Sequence, residues 1–401
     1  MKNEKIDNLN IKINYNNPIV MDNNNAIVIN DLNEILLLPI DKLTSLQSLT
    51  FGEFFNKPLL NGLDRLTSLQ QLTFGESFNK PLLNGLDKLT YLQYLTFGFY
   101  FNQPLSNSLD KLTLLQHLTL GWNFNQPLSN SLYKLTLLQH LTFSSDFNQQ
   151  LSNSLDKLTS LQDLTFGYDF NQPLSNSLDK LTSLEYLTFG KEFNQELSNS
   201  LDKLTSLKYL IFSYDFNQPL SNSLDKLTFL EYLSFGKEFN QQLSNSLDKL
   251  TLLEQITFGH YFNQPLSNSL VKLTSLQQLT LGYAFNQQLN LPSNIKILTL
   301  NSNNQNLIDN LPNSIEELTL MSNFNLELDN LPSSIKKIII KNKIYNKELN
   351  NLPNSLEYIG LPLYYEKKIL NIPKNLKEIY CDKNYKFIND FSNYQVSLLE
   401  Y

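Results

Sequence analysis

Phe-Asn recurs at Phe55, Phe78, Phe101, Phe124, Phe147, Phe170, Phe193, Phe216, Phe239, Phe262 and Phe285, and every step between them is 23 residues. A fixed period of roughly 20–29 residues, rich in leucine and with Asn after a strand, is the signature of a solenoid in which each repeat adds one short strand to a parallel sheet. Such an array needs only nearest-neighbour contacts, so the 401 residues need not split into the two or three domains that a compact fold of this length would demand. The expectation is one continuous solenoid domain.

With Leu43 as position 1, a typical repeat reads LTSLEYLTFGKEFNQELSNSLDK from Leu181 to Lys203, with apolar residues at positions 1, 4, 7, 9, 13, 17 and 21. The L-x-F step at positions 7 and 9, as in Leu187 and Phe189, alternates with period two and predicts the strand, with positions 6, 8 and 10 turned outward. The other apolar positions carry the chain back around a core of stacked Phe and Leu, wound right-handed like other parallel crossovers. SLDKLTSL is too short for a long helix and predicts a single helical or 3-10 turn. The fold class is therefore α/β: a right-handed leucine-rich-repeat-type solenoid with a parallel β-sheet on the concave face and short helical, 3-10 or extended arms on the convex face.

Asn at position 14, from Asn56 to Asn286, can satisfy backbone groups where the chain turns from the sheet, and is expected to form a buried ladder. Thr at position 8, replaced only by Ile211 and Ser234, predicts an outward ladder at about 4.8 Å spacing. Thr there suits a strand, and a regular array of it can also bind ordered water or sugar.

The expected organisation has four parts. Residues 1–42 form an N-terminal cap with one cryptic repeat, in which Ala26 to Leu36 fits the frame and Leu32-Asn33 stands for Phe-Asn; the structure of residues 1–19 is left open. Residues 43–290 hold the strict 23-residue repeats. Residues 291–390 hold shorter repeats beginning LPxS at 20- or 21-residue spacing, where Pro, unable to donate inside a helix, predicts an extended, narrower arm and less bending. Residues 391–401 form a C-terminal cap or tail.

The net charge of -7 and pI near 5.2 argue against nucleic acid as a partner, since its binding needs clustered Lys or Arg. Cys381 is the single cysteine, which excludes an internal disulfide framework and fits a reducing compartment. The start, Met1 to Asn10, is polar, and no apolar run is long enough to span a membrane. These features predict a soluble, cytoplasmic protein without a membrane partner, and a monomer.

Positions 6, 11 and 12 change chemistry at almost every repeat. Position 6 runs through Tyr94, His117, His140, Asp163, Tyr186, Tyr209 and Tyr232; position 11 includes Trp122, Tyr168 and Tyr214; position 12 includes Asp146, Asp169, Glu192, Asp215 and Glu238. Exposed Tyr and Trp dominate interface energetics because they bury much area at little rotamer cost. Tyr94, His117, His140, Asp163, Tyr186, Tyr209, Tyr232, Trp122, Tyr168 and Tyr214 are therefore the expected contacts for a basic or amphipathic protein partner, against the alternative that these positions vary because nothing packs on them. His117, His140 and Asp163 stack in a row, where a parallel ladder points ligands side by side rather than toward one tetrahedral metal; protonation of adjacent histidines would make the patch sensitive to mildly acidic pH. There is no Gly-rich phosphate loop, nucleophile elbow or catalytic triad. The chain is read as a non-enzyme without cofactor or metal.

The run FNQPL followed by SL, then LTSLQ and LTFG, resembles FNIP repeats, a leucine-rich-repeat relative of social amoebae and giant amoebal viruses, and the resemblance extends from about Leu32 to Ile388. Several proteins of that family carry an N-terminal F-box, which makes the substrate-recognition subunit of a ubiquitin ligase one alternative function; the region ahead of Leu43 is too short for an F-box of usual size. The resemblance then implies bare repeat binding, in the host cytoplasm if the source is viral. A carbohydrate-binding or structural solenoid, using the Thr ladder, is the other alternative.

Overall fold

The computed structural model describes residues 10–12, 20–21, 27–28, 44–266, 269–289, 291–321 and 323–398. The chain forms two compact units, Met1–Ser213 and Tyr214–Tyr401, and the division falls inside the strict repeats.

In the first unit the short parallel strands are β1 (Asn10–Lys12), β4 (Ser48–Thr50), β5 (Gln71–Thr73), β6 (Tyr94–Thr96), β7 (His117–Thr119), β8 (His140–Thr142), β9 (Asp163–Thr165), β10 (Tyr186–Thr188) and β11 (Tyr209–Ile211), while β2 (Val20–Met21) and β3 (Ile27–Val28) form a separate antiparallel pair. Equivalent positions align from repeat to repeat, as in Tyr186 beside Tyr209 and Leu187 beside Leu210. From β4 to β11 the central residue of each strand is buried and its neighbours half-buried or exposed, because position 7 is the one of the three that points into the core. Backbone bonds continue past the strands: the Phe189 N–H donates to Ile211 O at 2.9 Å.

All seven apolar positions reach the core. In the repeat from Leu181 to Lys203 these are Leu181, Leu184, Leu187, Phe189, Phe193, Leu197 and Leu201, none more than 1 % exposed. Each such side chain contributes about 1.5–3 kcal/mol on burial. The phenylalanines interleave in two columns: Phe189 stacks on Phe193 at 4.1 Å within the repeat, and Phe170 to Phe193 measures 6.1 Å between repeats.

The return arm closes through successive turns instead of a helix. The N–H groups of Ser177, Asp179 and Leu181 donate to carbonyls three residues back, Leu174, Asn176 and Leu178. Among the described residues, position 18 occupies the left-handed region in nine repeats, as Leu60, Leu83 and then Ser106 to Ser244, with φ between 44° and 49°. This conformation costs a non-glycine residue about 1–2 kcal/mol and persists where the surroundings over-determine it.

Three expectations are corrected here. Position 10 is not turned outward: a Cβ on Gly190 would lie 1.5 Å from the carbonyl oxygen of Gly167, so the glycines mark close backbone approach between repeats. The Asn ladder exists but is half-buried, with Asn56 and Asn286 exposed, because its amides lie at the edge of the turn. The strand beside β4 is β1, in register Asn10 to Ser48, and not a strand from the frame drawn on Ala26 to Leu36; of that frame only Ile27 and Val28 are among the described residues.

The second unit has β12 (Tyr232–Ser234), β13 (Gln255–Thr257), β14 (Gln278–Leu281), β15 (Ile297–Leu300), β16 (Glu317–Leu320), β17 (Lys337–Ile340), β18 (Tyr358–Gly360), β19 (Glu378–Cys381) and β20 (Gln395–Leu398). From β14 onward most strands have four residues. The LPxS arm is a turn and not fully extended: Ile315 N donates to Pro312 O at 3.2 Å and Ile335 N to Pro332 O at 3.3 Å, since Pro fixes φ for a turn and gives up only a donor the turn does not need. A one-turn helix α1 (Gln305–Asp309) lies between β15 and β16. The Phe column passes to tyrosine, with Phe324, Tyr345, Tyr365 and Tyr385 separated by 6.1, 6.4 and 6.0 Å. Burial demands a partner for each phenol, and their hydroxyls donate to the carbonyls of Leu326, Lys347 and Lys367. After a 3-10 turn at Ile388–Phe391, β20 pairs in parallel with β19.

Candidate functional site

Because position 6 starts each strand and the register never slips, the variable residues of the first unit form a single column. Tyr94 stacks on His117 at 4.3 Å, His117 on His140 at 4.2 Å with planes 5° apart, His140 Nδ1 lies 3.9 Å from Asp163 Oδ2, and Tyr186 stacks on Tyr209 at 4.5 Å. Strand pairing sets Asp163 beside Tyr186, so six residues follow one another without a gap. Burial, and secondarily the charge of His140, lower the pKa of His117.

A second row follows the strand. Trp122, 54 % exposed, stacks on Phe99 at 5.4 Å. Tyr168 carries Lys191 over its ring at 4.5 Å, with the ammonium also donating to the phenol oxygen. The position-12 carboxylates lie beside this row: the Asp169 N–H donates to Ser145 O and that of Glu192 to Tyr168 O, which sets them one repeat apart. Burial, and then the charge of Asp169, raise the Asp146 carboxyl.

Tyr232 and Tyr214 belong to the second unit. Tyr232 pairs with Gln255 across β12 and β13, and Tyr214 lies under Lys237 at 4.7 Å. The column thus unites Tyr94, His117, His140, Asp163, Tyr186 and Tyr209, while Trp122 and Tyr168 run beside it.

Among the described residues no group of three or more His, Cys, Asp or Glu could hold a metal ion. Parallel stacking explains this for His117 and His140, whose ring faces are turned to each other. Thr at position 8 is half-buried along the sheet, which limits it as a sugar- or water-binding array. A groove of about 480 Å³ on the turn side is lined by Gln150, Ser152, Asn153, Pro173, Ser175, Asn176 and Ser177. Its residue types recur in neighbouring repeats, so it is a crease of the repeat and not a singular pocket.

Position 15 had no role in the sequence reading and has one in the fold. Asn171 Oδ1 accepts both the Asn194 N–H at 3.0 Å and Gln195 Nε2 at 2.9 Å, and the same pair of bonds recurs at Asn79, Asn102, Asn125 and Asn148. The recurrence of Gln one residue after Asn was the available signal.

The short parallel strands, Leu and Phe columns and Asn ladder define a leucine-rich-repeat-type solenoid. Within that class, the FNIP Repeat family matches residues 285–323 and 303–343, and the chain is an FNIP- and leucine-rich-repeat-like protein. Among solved structures it is similar to CroV588, a circular leucine-rich-repeat protein of a giant virus, with 29% identity, TM-score 0.66 and coverage of 88% of this chain and 54% of that one. It also shares its fold with TLR13 in a complex with ssRNA13, at 18% identity and TM-score 0.66 over 92% of this chain and 59% of that one. The Toll–Spatzle complex of Drosophila gives 15% identity and TM-score 0.56 over 94% and 53%. The chain spans little more than half the length of each. No curated protein matches it. No helix among the described residues is long and apolar enough to cross a membrane.

Proposed function

We propose that the chain is a non-enzymatic, cytoplasmic interaction scaffold that binds a basic or amphipathic segment of another protein on its sheet face. The observation that carries this reading is the column from Tyr94 to Tyr209, in which aromatic, imidazole and carboxylate groups share one register on a rigid sheet. Flat side chains held by stacking lose little freedom on binding, which is what makes aromatic residues effective contacts. Solenoids of this fold occur in a complex with Spatzle and in a complex with ssRNA13; a net charge of -7 favours protein over nucleic acid here.

The test is affinity purification of the intact protein from its native cell beside a variant with Trp122, Tyr186 and Tyr209 changed to alanine, followed by mass spectrometry. Specific partners lost from a variant with unchanged circular dichroism support the sheet face. An identical partner set from both proteins rejects it, and recovery of a ubiquitin-ligase core subunit would assign the scaffold to substrate recognition.

A further inference from the structure

From Tyr168 to Lys237, position 11 alternates aromatic residues with cations: Tyr168, Lys191, Tyr214, Lys237. The Lys191 ammonium lies 4.5 Å over the Tyr168 ring and also bonds its hydroxyl. In the second unit Lys237 stands 4.7 Å over Tyr214 and 5.4 Å over Tyr261, so one ammonium is shared by two rings. Each of these lysines is followed by an acid at position 12, Glu192 and Glu238.

One repeat before Tyr168 the pattern is incomplete. Position 11 there is Ser145, half-buried, between Trp122 and Tyr168, while position 12 keeps its acid as Asp146. Trp122 stacks on Phe99 at 5.4 Å with planes 12° apart, and Tyr168 carries Lys191. Each ring is therefore covered by the neighbour on the side away from Ser145, and the faces left over are those toward Ser145. Trp122 and Tyr168 are 54 and 45 % exposed. The Asp146 N–H donates to Trp122 O at 3.0 Å and the Asp169 N–H to Ser145 O at 2.8 Å, which fixes an acidic residue beside Trp122 and another beside Ser145.

Two repeat steps separate Trp122 from Tyr168, about 10 Å at a strand spacing of about 4.8 Å. A cation midway stands about 5 Å from each ring, inside the roughly 6 Å reach of a cation–π contact and close to the distances observed at Lys237. Positions 11 and 12 from Glu53 to Asp169 include Glu53, Glu76, Asp146 and Asp169 but no Lys or Arg. Among the described residues neither Asp146 nor Asp169 forms an ion pair. The aromatic and acidic partners of a cation are in place over Ser145, and the chain supplies no cation to them.

Resting on the sheet-face reading above, we propose that the gap over Ser145 seats a Lys or Arg side chain of the partner protein, with the cation between the rings of Trp122 and Tyr168 and paired with Asp146. The partner supplies there what Lys191 and Lys237 supply within the chain.

Trp122 is the single tryptophan, so its fluorescence reports on this seat. The intact chain is titrated with acetyl-Gly-Arg-Gly-amide, acetyl-Gly-Lys-Gly-amide and, as the uncharged counterpart, acetyl-Gly-norleucine-Gly-amide. The expected result is a saturable change with both cationic peptides at about millimolar concentration and none with the norleucine peptide. Ser145→Lys provides the cation from within and should weaken both cationic peptides about tenfold or more. Asp146→Asn should also weaken them, by a factor that shrinks with added salt. These substitutions place residues the repeat already accepts, lysine at position 11 in Lys191 and Lys237 and asparagine at position 12 in Asn123, so loss of fold does not mimic loss of binding. No saturable response to either cationic peptide, an equal response in Ser145→Lys, or an equal response to the norleucine peptide each overturns the seat. Partner capture lost in Tyr186→Ala with Tyr209→Ala but kept in Ser145→Lys overturns the seat alone and leaves the sheet-face reading standing; capture unchanged in both variants overturns the two together.

Discussion

His117 and His140 stand face to face at 4.2 Å with ring planes within 5°, held so because β7 and β8 pair them directly. Tyr94 covers the far face of His117, and Asp163 lies 3.9 Å beyond His140. Burial and the neighbouring His140 depress the His117 pKa below its ordinary 6.5, so the folded chain binds fewer protons at this site than the unfolded one as pH falls. Stability at this site is therefore full above 6.5 and is lost as pH falls through the depressed value. Tm measured from pH 7.5 down to 5 should drop more for the wild type than for His117→Gln, since Gln already occupies this position at Gln71. Parallel Tm curves for the two proteins contradict the coupling.

Asn171→Ala removes the acceptor of two hydrogen bonds, from the Asn194 N–H and Gln195 Nε2. Leaving a half-buried N–H unsatisfied costs about 1–3 kcal/mol. Asn286→Ala, at an exposed position, should cost less than half as much. Urea unfolding of the two variants reads the difference directly.

Gly190→Ala drives a methyl group into Gly167 O, and overpacking of this kind costs about 1–3 kcal/mol. Ser144 shows the condition under which a side chain is accepted at position 10, because its hydroxyl donates to Phe124 O at 2.6 Å. Ser144→Ala should therefore also destabilise, by about 1 kcal/mol, although it makes the side chain smaller. Thermal melts of both variants test this.

Ser175 is exposed yet has φ of 49°. A β-branched residue tolerates that region poorly, so Ser175→Val should cost about 1–2 kcal/mol. Thr159→Val, exposed on ordinary backbone, should be neutral within about 0.5 kcal/mol. Equal urea midpoints for the two variants would contradict the strain.

Burial, and then Asp382, push the Cys381 thiol up to about 11, so the thiolate that reacts with disulfide reagents is scarce at pH 8. The native protein should leave Cys381 unmodified there, and reaction in increasing urea should follow the unfolding of the second unit. Rapid modification without denaturant would place the thiol outside the core.

Much of this was legible because it repeats. The seven apolar positions, with Leu187 and Phe189 as the inward step, follow from period-two alternation inside a 23-residue frame, and position 6 could be named as a face before any strand was placed. The left-handed Ser at position 18 was not legible, since Ser carries no signal for positive φ, unlike Gly. Neither was the close backbone approach at Gly190, because alternation tells which way a side chain would point and not whether the neighbouring backbone leaves room for one. The tyrosine continuation of the Phe column was also missed. Its signal was Tyr345, Tyr365 and Tyr385 at 20-residue steps, and its meaning depends on carbonyls lying within reach of each phenol.

The sequence by itself determined the repeat, its strand and its core, because a period fixed over eleven copies admits one way of burying Leu and Phe. Only the tertiary structure decided which variable residues meet. Tyr94 and Tyr209 are 115 residues apart in the chain yet belong to one column, since parallel pairing without slippage converts a sequence interval into a stack. The structure likewise stacked His117 on His140 and Trp122 on Phe99, because neighbouring repeats pack at strand spacing whatever their separation along the chain.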